Sequence, residues 1–130
     1  LLDRPQAVLT CFVEGLATGL AVYQSIPQCR VVVCFDSGNL LEVSKHYRGT
    51  GLAVVCADND HKTAAKIGTN PGVLAGIEAA KRMGCGLAYP EDIEGSDWAD
   101  AIVEFGENAR RWVNRKIMGK AAPFRRPAIA

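Results

Sequence analysis

At residues 52–60 the chain reads LAVVCADND, an apolar run that leads directly into two acidic residues. Further apolar runs occupy residues 7–13, 31–35 and 86–89. The runs at 7–13, 31–35 and 52–57 are continuous rather than alternating, which is typical of strands that are covered on both faces in a parallel sheet. The pattern therefore predicts about four mostly parallel strands.

Helical signals separate these runs. Asn70 can cap a helix that has Pro71 in its first turn, and Gly84 can end it. Shorter helices are predicted at residues 16–24 and 39–47. The alternation of strands and helices predicts an α/β domain with helices on both faces of the sheet.

A further helix is predicted to begin near Ser96 or Asp97 and to continue without a break to about residue 117. Its apolar positions recur at spacings of four and three, which indicates one face packed against the sheet through two tryptophans. The stripe comprises Trp98, Ile102, Phe105, Ala109, Trp112 and Lys116 or Ile117.

The composition suits one intracellular domain. The 130 residues and 48% hydrophobic content are enough for a single core. The five cysteines include no CxxC pair and no cluster with histidine at zinc spacing, so we expect reduced and mostly buried thiols. No apolar stretch approaches the ~20 residues that span a bilayer. We expect a cytoplasmic, bacterial protein without a membrane partner.

Charge is distributed unevenly along the chain. Residues 1–104 carry 8 Lys/Arg and 13 Asp/Glu, whereas residues 105–130 carry 7 and 1. We predict a domain at residues 1–118 and a basic linker or flexible tail at 119–130. Since the chain begins at Leu1, we also expect it to be part of a larger multidomain protein.

Acidic residues follow two of the predicted strands. Glu14 and Gly15 come after the first, and Asp58 and Asp60 come after the third. Parallel α/β sheets bind ligands beyond the carboxyl ends of their strands. Carboxylate oxygens suit Mg²⁺ or Mn²⁺, and Gly15 leaves room for a large substrate. We predict a metal site here.

Other polar residues are weaker candidates. Asp36 follows the second strand and is a possible secondary acid, although it equally suits a helix cap. Lys62 and Lys66 lie in a segment interpreted as a loop and are possible phosphate contacts. His61 is interpreted as a solvated loop residue, and His46 as a surface residue.

Three segments occur in a suggestive order. They are CFVEGLATGL at residues 11–20, VCFDSGNL at 33–40, and ADND at 57–60 with NPG at 70–72. They resemble the Toprim domain that bacterial primases, topoisomerases and some nucleases share. The likeness covers about residues 7–100 and is greatest to primase-type Toprim domains of plasmids and mobile elements, including those attached to conjugative relaxases.

The resemblance implies a Rossmann-like Toprim fold and specific roles. Glu14 would act as general acid/base or share in metal binding, while Asp58 and Asp60 would hold Mg²⁺ or Mn²⁺. Asp97 and Asp100 match the acidic stretch that closes many Toprim domains, but Asp97 is explained as well by helix capping. The segment at 61–69 departs from the family because it looks longer and more polar than the compact turn of cellular replicative primases.

The expected function is Mg²⁺-dependent nucleotidyl transfer or phosphodiester chemistry on DNA, within a DNA primase-like or conjugative relaxase protein. Partners would be DNA or RNA, nucleotides and other domains of the same polypeptide. The isolated domain is expected to be inactive, because primases of this type also need template-binding surfaces that this sequence does not show. The alternative is a non-catalytic nucleic-acid or partner-binding module that retains the fold. A receiver-like domain is disfavoured because the first strand ends in one Glu, and a dinucleotide-binding domain because residues 14–19 lack the three-glycine fingerprint.

Overall fold

The computed structural model describes residues 1–125. Parallel strands form a sheet whose spatial order is second, first, third, fourth. These strands are β1 (Leu9–Val13), β2 (Cys29–Val33), β3 (Leu52–Cys56) and β4 (Gly86–Ala88). The predicted strands and their mostly parallel arrangement are confirmed.

Helices connect the strands and cover both faces of the sheet. They are α1 (Leu16–Ser25), α2 (Ser37–His46), α3 (His61–Ile67), α4 (Pro71–Met83), α5 (Trp98–Phe105) and α6 (Ala109–Met118). In α4 the side chain of Asn70 accepts a hydrogen bond from the Val73 N–H, and Gly84 ends the helix in a left-handed conformation. The predicted caps of α4 are therefore confirmed.

The sheet separates two apolar cores because successive side chains of a strand point to opposite faces. Cys11 and Val13 belong to the core beneath α1, α5 and α6. Phe12 belongs to the other core, with Leu40 of α2 and Met83 of α4. Burial on both faces explains why β1 is a continuous apolar run rather than an alternating one.

The predicted continuous helix at 96–117 is wrong in one respect. Helix α5 ends at Phe105, and a 3₁₀ turn at Gly106–Asn108 separates it from α6. Gly106 has φ +55°, which an α-helix cannot contain. The apolar stripe continues across the break, since Trp98 is fully buried and its ring centroid lies 5.9 Å from that of Trp112.

The interpretation of residues 61–69 as a loop is also wrong, because most of the segment is α3. The helix ends at Gly68, which has φ +80°. None of the α3 residues is buried. A helix without a buried face has no apolar stripe, so the sequence pattern gave no signal for it.

Residues 122–124 belong to the predicted linker or tail, but in the structure they pack against the rest of the domain. Ala122–Pro123 form a short strand, β5, that pairs antiparallel with Leu52 and Ala53 of β3. Phe124 is 8% exposed, and its ring stacks on that of Tyr47 at a centroid distance of 5.8 Å. Of the predicted tail, residues 126–130 lie outside the described residues.

All five cysteines are unpaired, and four of them are buried while Cys85 is partly exposed. Within residues 1–125, none of the helices has the length and apolar character needed to cross a bilayer.

Candidate metal centre at the carboxyl edge of the sheet

The predicted acidic residues lie at one edge of the sheet. β1 and β3 are adjacent and parallel, with Phe12 opposite Val55. Their carboxyl ends therefore meet, and the chain leaves them through Glu14 and through Asp58 to Asp60. The three predicted carboxylates lie close enough to interact electrostatically. The charges of Glu14 and Asp60 both raise the pKa of Asp58.

Glu14 is held between β1 and the start of α2. Its Oε1 accepts a hydrogen bond from Ser37 Oγ at 3.1 Å, and its main-chain carbonyl accepts one from the Phe35 N–H at 2.6 Å. Burial raises the pKa of Glu14, the Ser37 hydrogen bond partly opposes this rise, and the charges of Asp60 and Asp36 add to it. A carboxyl group with a raised pKa suits proton transfer.

Asp58 is the most perturbed carboxylate of the site. Burial, followed by the negative charge of Glu14, raises its pKa from the ordinary 3.8 to about 7. Its Oδ1 is buried and has no hydrogen-bond partner among the described residues. Burying a carboxylate oxygen without a partner costs free energy, and binding of a proton or a cation at this atom would lower that cost.

Asp60 is oriented by the amino end of α4. Its Oδ2 accepts a hydrogen bond from the Gly72 N–H at 2.8 Å, where the helix dipole favours negative charge. A Cβ on Gly72 would lie 2.6 Å from the Asp58 carbonyl oxygen and 2.9 Å from Asp60 Oδ2. Only glycine allows α4 to approach the acidic loop this closely.

Two asparagines, Asn59 and Asn70, form hydrogen bonds in the loop between the aspartates, although the sequence predicted only a helix cap for Asn70 and no role for Asn59. Asn70 Oδ1 accepts from the Asp60 N–H at 3.0 Å while its Nδ2 donates to Asn59 Oδ1 at 2.8 Å. Asn59 Nδ2 in turn donates to the Pro90 carbonyl at 2.8 Å. The signal in the sequence was the Asn-Pro-Gly motif. An asparagine that caps a helix beside a strand-end loop can bond both to the helix and to that loop.

Asp97 caps α5 as the sequence predicted, and Asp100 completes the cap. Each side chain accepts the backbone N–H of the other residue, at 2.8 and 3.1 Å, which forms a capping box. Both charges nevertheless raise the pKa of Asp58. Burial also raises the pKa of Asp97. The two residues therefore have a structural role and extend the negative field of the site.

The structure separates the two candidate lysines. Lys62 lines a cavity of about 290 Å³ together with Asp60, Ser96 and Asp100. Lys66 lies one turn further along α3, is exposed and does not line this cavity. His61 is not simply solvated, since its Nε2 lies 2.8 Å from the Gly95 carbonyl oxygen.

Asp36 is exposed and caps α2, accepting the Asn39 N–H at 2.6 Å. Its charge reaches the site, because it contributes to the raised pKa of Glu14. His46 is on the surface as predicted, and its Nε2 lies 3.1 Å from Glu42 Oε1.

Gly15 opens the site toward solvent. Its φ is −96°, so the backbone does not require glycine, and an added Cβ would meet no atom of residues 1–125 within 4 Å. The residue precedes α1 and leaves the amino end of that helix without a side-chain cap. Space and unpaired N–H groups at a helix start suit an incoming phosphate.

Among residues 1–125, no group of three or more His, Cys, Asp or Glu side chains is already arranged to hold a metal ion. The donor set still fits Mg²⁺, because the unpaired Asp58 Oδ1 and the neighbouring carboxylates are hard oxygen ligands. Mg²⁺ is commonly held by one or two carboxylates, with water and substrate phosphate completing its shell.

These features define an α/β domain with an acidic cluster at the carboxyl edge of its parallel sheet. The sequence model of the Toprim domain matches residues 10–108, which is more than half of the chain. The chain belongs to the Toprim domain family. Searches of curated proteins and of solved structures gave no significant match.

Proposed function

We propose that this Toprim domain supports Mg²⁺-dependent nucleotidyl transfer or other phosphodiester chemistry on DNA, as part of a DNA primase-like or conjugative relaxase protein in the bacterial cytoplasm. Membership of the Toprim family supports a role with nucleic acids in general. The observation that carries the proposal is the buried, unpaired Oδ1 of Asp58 among other carboxylates.

Each acidic residue has a distinct part in this proposal. Asp58 and Asp60 hold Mg²⁺, which when bound neutralises phosphate charge and polarises a phosphate oxygen. Glu14 takes up and returns a proton at Oε2, because Ser37 occupies Oε1. Its raised pKa brings that exchange nearer to neutral pH.

The neighbouring residues position the nucleic acid. Gly15 leaves space for a sugar-phosphate backbone to approach the carboxylates. Lys62 borders the same cavity as Asp60 and can neutralise a second phosphate. The chain thereby contributes placement and charge neutralisation, which are the main requirements of phosphoryl transfer.

The test compares Glu14→Gln with the matched change Glu42→Gln, which removes an exposed carboxylate from α2. The full-length parent is assayed for primer synthesis and for cleavage of labelled single-stranded DNA in Mg²⁺. Glu14→Gln should lower the rate by about 10²–10⁴-fold, as expected for loss of a general acid or base, while Glu42→Gln should not. Equal rates in the two variants would refute the role of Glu14. Metal binding without turnover by the parent would favour a non-catalytic module.

A further inference from the structure

A cleft rich in arginine lies between the carboxyl end of α1 and one side of α6. It has a volume of about 600 Å³. No acidic side chain is among the residues that line it. The residues that define this arginine cleft are Gln24, Ser25, Arg110, Arg111, Asn114 and Arg115.

The three arginines are not needed to cap α1. Arg4 donates to the carbonyls of Tyr23 and Ile26 at 2.8 Å each, and Asn114 Nδ2 donates to the Ser25 carbonyl at 3.1 Å. These bonds satisfy acceptors that the end of a helix leaves open. Within residues 1–125, the guanidinium groups of the cleft arginines form no hydrogen bond or ion pair.

Folding does not explain the arginines either. Helix α6 is anchored by Ala109, Val113 and Ile117, which are fully buried, whereas the cleft arginines are exposed. Arg111 and Arg115 are four positions apart on the helix, a spacing at which like charges destabilise by about 0.2–0.5 kcal/mol. Arg115 lies in the last turn of α6, where the helix dipole favours a cation, but Arg110 and Arg111 lie in the first turn, where it does not.

The cleft lies at the opposite edge of the sheet from the acidic site. Helix α1 begins directly after Gly15 and ends at Ser25, and its 10 residues span about 15 Å. At 3.4 Å per nucleotide step of a duplex strand, this distance corresponds to roughly four steps. One nucleic acid can therefore contact both places, and the lining of the cleft itself carries no carboxylate.

We infer that the arginine cleft binds the phosphate backbone of the nucleic acid on which the acidic site acts. The choice of nucleic acid over another polyanion rests on the proposed function. Arginine presents a planar fork of donors that matches phosphate oxygens, and Asn114 and Gln24 add neutral donors beside it. Contacts of this kind position the strand without reading its sequence.

The test measures binding of a fluorescein-labelled single-stranded 20-mer by anisotropy in EDTA, from 50 to 200 mM KCl. Arg110→Gln/Arg111→Gln/Arg115→Gln removes the cleft charges and keeps good helix propensity. Three lost phosphate contacts should reduce the slope of log affinity against log salt by about 2. The control removes three exposed charges outside the cleft, by Arg48→Gln/Lys81→Gln/Lys120→Gln. It should keep a steeper slope than the cleft variant.

Equal slopes for the cleft variant and the control would overturn the inference, as would absence of wild-type binding at 50 mM KCl. The variants should melt within a few degrees of the wild type, which excludes unfolding as the cause of lost binding. Because EDTA removes divalent metal, failure of the acidic site does not affect this result. A reduced slope in a chain whose parent lacks turnover would support the cleft and count only against the proposed catalysis.

Discussion

Replacing Asp58 with asparagine removes a charge that the folded protein tolerates poorly without metal. The pKa of Asp58 rises from the ordinary 3.8 to about 7 on folding, mainly through burial. At ~1.36 kcal/mol per pH unit, this rise corresponds to about 4 kcal/mol. Asp58 as a whole is only partly buried, so solvent screening lowers this figure and we take about 2 kcal/mol as the folding penalty of the ionised group.

The sign of the effect fixes its pH dependence. A carboxyl group with a raised folded-state pKa contributes most to stability below its ordinary pKa, and this contribution is lost as the pH rises through about 7. Asp58→Asn should therefore raise the free energy of unfolding by about 2 kcal/mol at pH 8. At pH 4.5 the gain should fall to about 0.5 kcal/mol, because the folded wild type is then protonated at Asp58.

The assay is urea unfolding followed by circular dichroism, in EDTA, at both pH values. The matched control is Asp92→Asn, which removes an exposed carboxylate at φ +61°, a conformation that Asn also adopts readily. The control should show no comparable dependence on pH. If Asp58→Asn instead destabilised the metal-free protein at pH 8, Asp58 would be a structural acceptor and its assignment as a metal ligand would be withdrawn.

Further substitutions test the surroundings of the site. Gly72→Ala should destabilise by more than about 2 kcal/mol in urea unfolding, because its Cβ would lie 2.6 Å from the Asp58 carbonyl oxygen. Gly15→Ala adds a methyl group to free space, so the free energy of unfolding should change by only about 0.5 kcal/mol. Turnover by the parent should fall if substrate occupies that space, and unchanged turnover would show that it does not. Phe35→Gly should stabilise the protein by about 1 kcal/mol, since Phe35 has φ +77° and is 71% exposed. A loss of stability would show that contacts of its ring outweigh the backbone strain. Phe124→Ala should cost about 3 kcal/mol by the same measurement, and a negligible cost would mean that this segment behaves as a linker.

The sequence was sufficient to predict the parallel sheet because burial on both faces leaves a direct pattern. The continuous run of β1 divides between the two cores, with Phe12 on one side and Cys11 on the other. The helix at 61–67 was missed because it buries nothing, and the break at Gly106 was missed because the apolar stripe continues past it. Pairing of Ala122 with β3 depends on a neighbour distant in sequence, which periodicity cannot reveal.

The sequence indicated the charged residues of the candidate site and Gly15, but not the contacts that orient them. Glu14, Asp58 and Asp60 follow strands, so strand order alone places them at one edge. The bonds that orient them come from distant residues. Asn70 reaches back to Asp60, and Ser37 donates to Glu14. Such contacts depend on the positions of helices, which a local sequence pattern does not specify. The roles of the site residues stay predictions.

Binding of Mn²⁺ to the ¹⁵N-labelled chain tests the central claim most directly, because this paramagnetic ion broadens NMR signals of nearby amides. We expect the amides of Gly15, Asn59 and their neighbours to lose intensity first, and this local loss to disappear in Asp58→Asn. Uniform broadening, a maximum elsewhere in the chain, or an unchanged pattern in Asp58→Asn would contradict a metal site at the carboxyl edge of the sheet.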